Sequence, residues 1–188
     1  MCGGWSKDYN HAERLLWQDP KPILLEVGLK TGQVLLDIGC GDGFFSLPAA
    51  KIVGKTGIVY AQDTNPAAIA TLTAKAQTAG LSNVRPLLAN AEEIIPCPHL
   101  AHAALMANVL HDFGRPLEAL VSIKRKLRSS GLLANLDWNK EPRQLHGPPL
   151  PRRLSQEEAT TLLERAGFKI VKNSPSGPYH YLLIATAP

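Results

Sequence analysis

The ten residues from Val34 to Gly43, VLLDIGCGDG, constrain the fold more than any other part of this chain. VLLDI is an aliphatic run bounded by turn residues, the pattern of a strand buried on both faces. The segment after the glycines, FFSLPAAKIVG, is apolar at most positions and reads as a helix, with Pro48 tolerable only in the first turn. Parallel strands must be joined by a crossover, so a strand feeding a helix in this way asks for another strand beyond it. IVYAQD (58–63) supplies that strand. Asn65 is then placed to cap a helix with Pro66 at its first position, and Gly80 to close it.

The alternation continues. A third strand is expected at Val84–Leu88 and a fourth within AHAALMANVL (101–110). RPLEALVSIKRKLRSSG reads as an amphipathic helix stopped by glycine, and LLANLDW (132–138) as a fifth strand. Residues 139–153 are rich in Pro and Arg and read as an irregular loop. Ser155 caps SQEEATTLLERAG, with acids in its first turn as the helix dipole favours. FKIVKN and YHYLLIATA have no helix between them and must pair as a hairpin, placing an antiparallel strand at the far end. The expected fold is α/β: a Rossmann-like three-layer sandwich around a mostly parallel seven-stranded sheet ending in an antiparallel hairpin. No domain boundary is visible, so residues 1–188 read as one domain, with residues 1–20 as a helical arm over the sheet.

Composition supports this. Hydrophobic residues make up 45% of the chain and charged residues 19%, enough apolar material for a core and too little charge for a disordered chain. No apolar run reaches the roughly 18–20 residues needed to span a bilayer, and the first residues do not read as a secretory signal. Three cysteines, Cys2, Cys40 and Cys97, are too few for a disulfide framework and suggest a reducing, cytoplasmic setting. The formal charge of +4 permits an anionic partner without demanding one.

In an open α/β sheet, ligands bind beyond the carboxyl ends of the strands. The first such turn here carries Gly39, Gly41 and Gly43 in G-x-G-x-G spacing. A dinucleotide fingerprint is G-x-G-x-x-G, and position 44 is Phe; a P-loop would need G-K-[S/T]. Asp37 ends the first strand and Asp63 the second, the latter where an acid binding ribose hydroxyls is found. Two acids beside the loop suit a nucleoside ligand with cationic groups and no diphosphate.

These residues resemble the class I S-adenosylmethionine-dependent methyltransferases. LLDIGCGDG, IVYAQDTNP, LANAEEI, MANVLHDF and KRKLRSSGLLANLDW match that family's motifs in order, and residues 30–140 carry the likeness. The nearest flavour is the small-molecule group that includes ubiquinone and menaquinone biosynthesis methyltransferases. The resemblance implies S-adenosyl-L-methionine as cofactor. It assigns the methionine end to Asp37, Gly39, Cys40, Gly41 and Gly43, the ribose to Asp63 with Thr64 beside it, the adenine to Asn90, Ala91 and Glu92, and the sulfonium to Asn108. The family usually has an acid where Asn90 stands; an amide oxygen can still accept from the adenine amino group, so weaker affinity is expected.

Methyl transfer needs a base only where the acceptor must lose a proton. His111 is the candidate, with Asp112 as the neighbouring acid that would raise its proton affinity. A structural loop histidine is the alternative. His180, between Tyr179 and Tyr181, reads as part of an edge strand. Trp138 and Arg143 flank the loop where an aromatic or anionic acceptor would sit. Cys97, His99 and His102 have zinc-like spacing but no fourth ligand nearby, so no metal is expected. The expected reaction is methyl transfer to a small molecule by a monomer or homodimer. An RNA or protein methyltransferase and a non-catalytic cofactor-binding subunit are the alternatives. Lys124, Arg125, Lys126 and Arg128 could contribute to a polyanion track, but ANVLHD does not resemble the [D/N]-P-P-[Y/F] of many nucleic-acid amino-methyltransferases. Nucleic acid is therefore disfavoured.

Overall fold

A computed structural model describes residues 11–141 and 147–188. Strands β1 (Val34–Ile38), β2 (Ile58–Asp63), β3 (Val84–Leu88), β4 (Ala101–Ala107), β5 (Leu127–Trp138), β6 (Lys169–Ser176) and β7 (His180–Thr186) form one sheet in the order β3-β2-β1-β4-β5-β7-β6. The first five are parallel, and β7 is antiparallel to both neighbours. Helices α1 (His11–Leu15), α2 (Pro20–Glu26), α3 (Ser46–Val53), α4 (Pro66–Thr78), α5 (Pro116–Lys126) and α6 (Gln156–Arg165) complete the α/β sandwich.

Alternation along the strands splits the core in two. Leu35, Ala134 and Leu136 pack with Leu24, Ala50, Val53 and Leu72 of α2, α3 and α4. Leu36, Ile38 and Leu133 face the other way, onto Leu120, Ile123 and Leu163 of α5 and α6. This is the period of two expected of a strand covered on both faces. The caps form as read: Asn65 accepts from the Ala67 and Ala68 amides, and Ser155 with Glu158 makes a complete capping box.

Two readings need correction. Helical structure at the N-terminus extends past residue 20, because Asp19 caps α2 with Pro20 at its first position; residues 1–10 of the expected arm lie outside the described residues. Second, α5 ends at Lys126 rather than running to the glycine stop. Leu127 turns extended (ψ 147°) and already pairs with Ala101, five residues before the expected strand start. The terminal hairpin forms as read, with an antiparallel strand at the far end of the sheet, and the structure supplies its order. β7 inserts between β5 and β6 because HYLLIAT is buried almost throughout, whereas KIVKNSPS is exposed on most positions. Lys169, Lys172 and Pro175 suit β6 to the edge, where an unpaired ladder must be protected from further strands.

Candidate active site

The carboxyl ends of β1, β2, β4 and β5 converge on the glycine loop. Gly39 has φ 69°, and a Cβ there would lie 2.6 Å from Val109 Cγ2 in the loop after β4. Glycine thus lets the two ligand-side loops touch. Gly41, at φ 54°, has nothing within 4 Å of where a Cβ would stand, so its backbone faces open space. Its N–H donates to Asp63 Oδ2 at 2.8 Å, and Asp63 Oδ1 accepts from the Asn65 amide at 2.9 Å. The acid at the end of β2 therefore both sets the loop and starts α4. Thr64 is exposed beside it, and Gly43 packs close under Leu72.

Asp37 is buried and accepts from Ser46 Oγ at 2.5 Å. Burial pushes its pKa up to about 6, against the downward pull of the serine bond and Arg14; the charge of Asp63 adds to the rise. Cys40 does not present its thiol. The side chain lies in the core with its pKa far above the ordinary thiol range through burial, and its amide donates to Gln62 O.

Asn90 Oδ1 accepts from the Glu92 amide at 3.0 Å, which makes a tight turn after β3. Ala91 is buried, and the Glu92 carboxylate accepts from the Arg115 amide at the start of α5. Asn108 sits at φ 60°, a conformation that costs energy for a residue other than glycine and is found where a site demands it. Its Nδ2 donates to Gln18 Oε1 at 3.3 Å. Its Oδ1 and the Gln18 Nε2 are buried without a partner. Such orphaned atoms are rare in folded proteins and mark places completed by something else.

His111 and Asp137 form the main titratable pair. Asp137 ends β5 and is 1% exposed. Its Oδ1 lies 2.7 Å from His111 Nδ1 and accepts from the Trp138 amide at 2.8 Å; Oδ2 faces the His111 amide at 3.3 Å. Burial alone would lower the His111 pKa. The hydrogen bond and charge of Asp137, with a contribution from Asp112, outweigh it and raise the pKa above the usual histidine value. The sequence pointed to Asp112 as the partner, but that carboxylate stands 3.6 Å from Nε2 and is held by Arg152 at 2.6 Å. Asp137 was missed because it is 26 residues away and adjacent only through the pairing of β4 with β5. Its signal was its place: an acid ending a strand, like Asp37 and Asp63.

The N-terminal arm covers this ground. Arg14 lies 3.9 Å over the Phe44 ring and donates to Gln18 at 2.7 Å, while His11 reaches Asp42 at 3.0 Å and Lys75 holds the same acid at 2.6 Å. Trp17 stacks on His180 (5.3 Å, 9° between planes) and packs on Trp138. His180 is fully buried, and burial, with Arg14 next, pushes its pKa down to about 3, so it is neutral. Trp138 is covered by the arm and by Gly147 rather than presented outward. Arg143 lies outside the described residues.

Cys97, His99 and His102 do not converge as ligands. His99 Nδ1 is 2.5 Å from Tyr60 Oη, His102 Nδ1 accepts from the Val34 amide, and Cys97 Sγ faces His99 O. Among the described residues no group of three or more potential ligands could hold a metal. No helix among them is long and apolar enough to cross a membrane. The basic residues near 124–128 do not form one face. Lys124 and Lys126 donate to the carbonyls of Gly167 and Cys97, and Arg128 is on a strand against His102.

A mostly parallel sheet with a glycine loop between two strand-end acids, and no phosphate-binding lysine motif, has the arrangement of methyltransferase-type α/β proteins. The sequence profile of the methyltransferase domain family matches residues 29–167, and the chain belongs to that family. A ubiquinone/menaquinone biosynthesis C-methyltransferase of Blochmanniella floridana is 32% identical over 118 residues, covering 62% of this chain and 46% of that protein. The chain spans about half the length of the curated relatives it matches. A S-adenosylmethionine-dependent methyltransferase from Aquifex aeolicus has 32% identity and a TM-score of 0.88, with 96% of this chain and 100% of that one covered. The [4+2]-cyclase SpnF has a TM-score of 0.78 at 21% identity over 90% of this chain and 79% of its own, a likeness of fold alone. Family and fold imply S-adenosylmethionine as the cofactor. The residues fit it: the open face of Gly41, the paired acids, and the orphaned Asn108 oxygen suit a nucleoside carrying cationic groups.

Proposed function

We propose that the chain is a S-adenosylmethionine-dependent methyltransferase whose acceptor is a small molecule that loses a proton as it is methylated. The observation that carries this reading is the buried His111–Asp137 pair at 2.7 Å, set at the ligand end of the sheet. When bound, the cofactor supplies an activated methyl group on a cationic sulfur. Asp63 and the Gly41 backbone would hold its ribose side, Asp37 and Arg14 its amino-acid end, Asn90, Ala91 and Glu92 the adenine, and Asn108 the region of the sulfur.

The remaining work falls to orientation, exclusion of water and a proton. Asp137 fixes the His111 ring with Nδ1–H as donor, which leaves the Nε2 lone pair to take a proton from the acceptor. The raised pKa makes the imidazole a better base, and the resulting imidazolium is stabilised by Asp137. Trp17 packs on His180 and Gln18 on Asn108 beside these groups, where the arm would help keep water away. Names of relatives that act on small molecules support the acceptor class. The dispersed basic residues offer no track for nucleic acid, which favours a small acceptor over RNA.

The test is transfer of labelled methyl from S-adenosylmethionine into a cell extract separated into small-molecule, RNA and protein fractions. Label is expected in the small-molecule fraction, and His111→Gln should remove most of it while calorimetric affinity for S-adenosylhomocysteine stays within about twofold of wild type. Label in RNA or protein would overturn the acceptor class. Cofactor binding with no transfer into any fraction would favour the non-catalytic reading.

A further inference from the structure

At the opposite end of the sheet, where β1, β4 and β5 begin, a groove of about 500 Å³ is lined in part by Gln33, His102, Arg128, Ser129 and Ser130. A bulge builds it. Ala101 pairs with Leu127 and Ala103 with Leu132, so four residues, 128–131, oppose His102 alone. Bulges re-aim side chains, and this one folds Arg128 back onto the histidine. Ser130 is held at φ 60°, and a Cβ on Gly131 would meet Arg128 O at 2.8 Å.

The protons at this junction do not balance. The Val34 amide is an obligatory donor, and it lies 3.0 Å from His102 Nδ1. Nδ1 must therefore carry the lone pair, and the single proton of the neutral ring sits on Nε2. Arg128 Nη1 is also a donor and has no lone pair to offer, yet it stands 2.6 Å from Nε2. The other tautomer would instead set Nδ1–H against the Val34 N–H. Protonation of the ring would add a second positive charge. No protonation state of the ring satisfies both contacts at once, whereas an acceptor placed beside Nε2 and the guanidinium would take a hydrogen bond from each.

We infer that this groove binds the phosphoryl oxyanion of a small phosphorylated molecule. One oxygen would accept from His102 Nε2–H and another from the Arg128 guanidinium, whose planar fork suits such oxygens. Ser129 and Ser130 add hydroxyl donors. Gln33 uses its carbonyl on the Lys30 amide, which leaves its NH₂ as a further donor. Among the described residues no carboxylate lines the groove to compete, and Val27, Ala103 and Leu132 provide an apolar wall for the rest of the molecule. The volume lies within the roughly 300–1,000 Å³ of small-molecule sites. The site stands apart from the glycine loop and does not depend on the proposed reaction.

Calorimetric titration with inorganic phosphate and with phenyl phosphate, at constant ionic strength and with saturating S-adenosylhomocysteine to block the cofactor loop, tests this. Both should bind, phenyl phosphate more tightly because of the apolar wall, and Arg128→Gln should weaken each by at least about tenfold. Arg128→Lys should fall between the two. Long-range ¹⁵N–¹H spectra should show the His102 proton on Nε2, with that nitrogen shifting on addition of phosphate. Equal affinity for phosphate and phenyl phosphate would restrict the site to the free anion and overturn the small-molecule part. Binding unchanged in Arg128→Gln, or no heat and no His102 shift with either probe at millimolar concentrations, would overturn the site altogether.

Discussion

Asp37→Asn should make this protein more stable and a poorer binder of its cofactor. Asp37 is 1% exposed, and burial holds its pKa at about 6 against 3.8 for a free side chain. A gap of about two pKa units corresponds to ~3 kcal/mol of penalty on the charged form at neutral pH. Because the folded-state pKa is raised, the native state keeps a proton that the unfolded chain has already lost. Stability is therefore full below about pH 4 and declines as pH rises through 6. Asparagine is nearly the same shape and carries no charge to desolvate, and Ser46 can still hydrogen-bond to it. The variant should gain up to ~3 kcal/mol above pH 7, or roughly 5–10 °C in Tm for a chain of this length, with almost no gain at pH 4. Urea unfolding of both proteins from pH 4 to 8 reads the difference directly. A gain that does not grow between pH 4 and 7, or a loss at pH 7, would refute the assignment of a strained buried carboxylate. Calorimetry on the same samples should show weaker S-adenosylmethionine binding, a trade of stability for function of the kind active sites often make.

Three further outcomes are expected. Asp137→Asn should lower the His111 pKa by removing its main partner, so the pH at which methyl transfer reaches half its maximum should move down while the maximal rate falls about 10²-fold or more; in the wild type, that midpoint should lie above the ordinary histidine value because the proton must be lost first. Gly39→Ala should cost about 1–3 kcal/mol from its positive φ and the 2.6 Å approach to Val109, and Val109→Ala in the same chain should recover the steric part in urea melts. Ser155→Ala should cost about 1 kcal/mol by opening the capping box of α6, with no effect on cofactor affinity.

Much of this protein was legible in its residues because the relevant physics is local. Asn65-Pro66 and Ser155 with Glu158 state their helix starts outright, since a cap needs only neighbours in sequence. VLLDI, IVYAQD and VRPLL occupy the ranges expected, because a short aliphatic run between glycine turns has few alternatives. Asp37 and Asp63 beside G-x-G-x-G stand together at one end of the sheet for the same reason. The readings that failed depended on pairing across the chain. RSSG looked like the end of a helix, and only the register of β5 against β4 made it a bulge. Asp112 was the acid next to His111 in sequence, but Asp137 is the acid next to it in space, delivered by the end of β5.

Sequence by itself therefore determined most of the elements and the mostly parallel character of the sheet, set by patterns within a few residues. Tertiary structure alone decided which carboxylate orients the candidate base, that Trp17 and Gln18 of the arm meet His180 and Asn108, and that β7 lies inside the sheet. Those outcomes rest on distances between residues far apart in sequence, and such distances are fixed only when the strands take their register and the two faces of the sheet are packed.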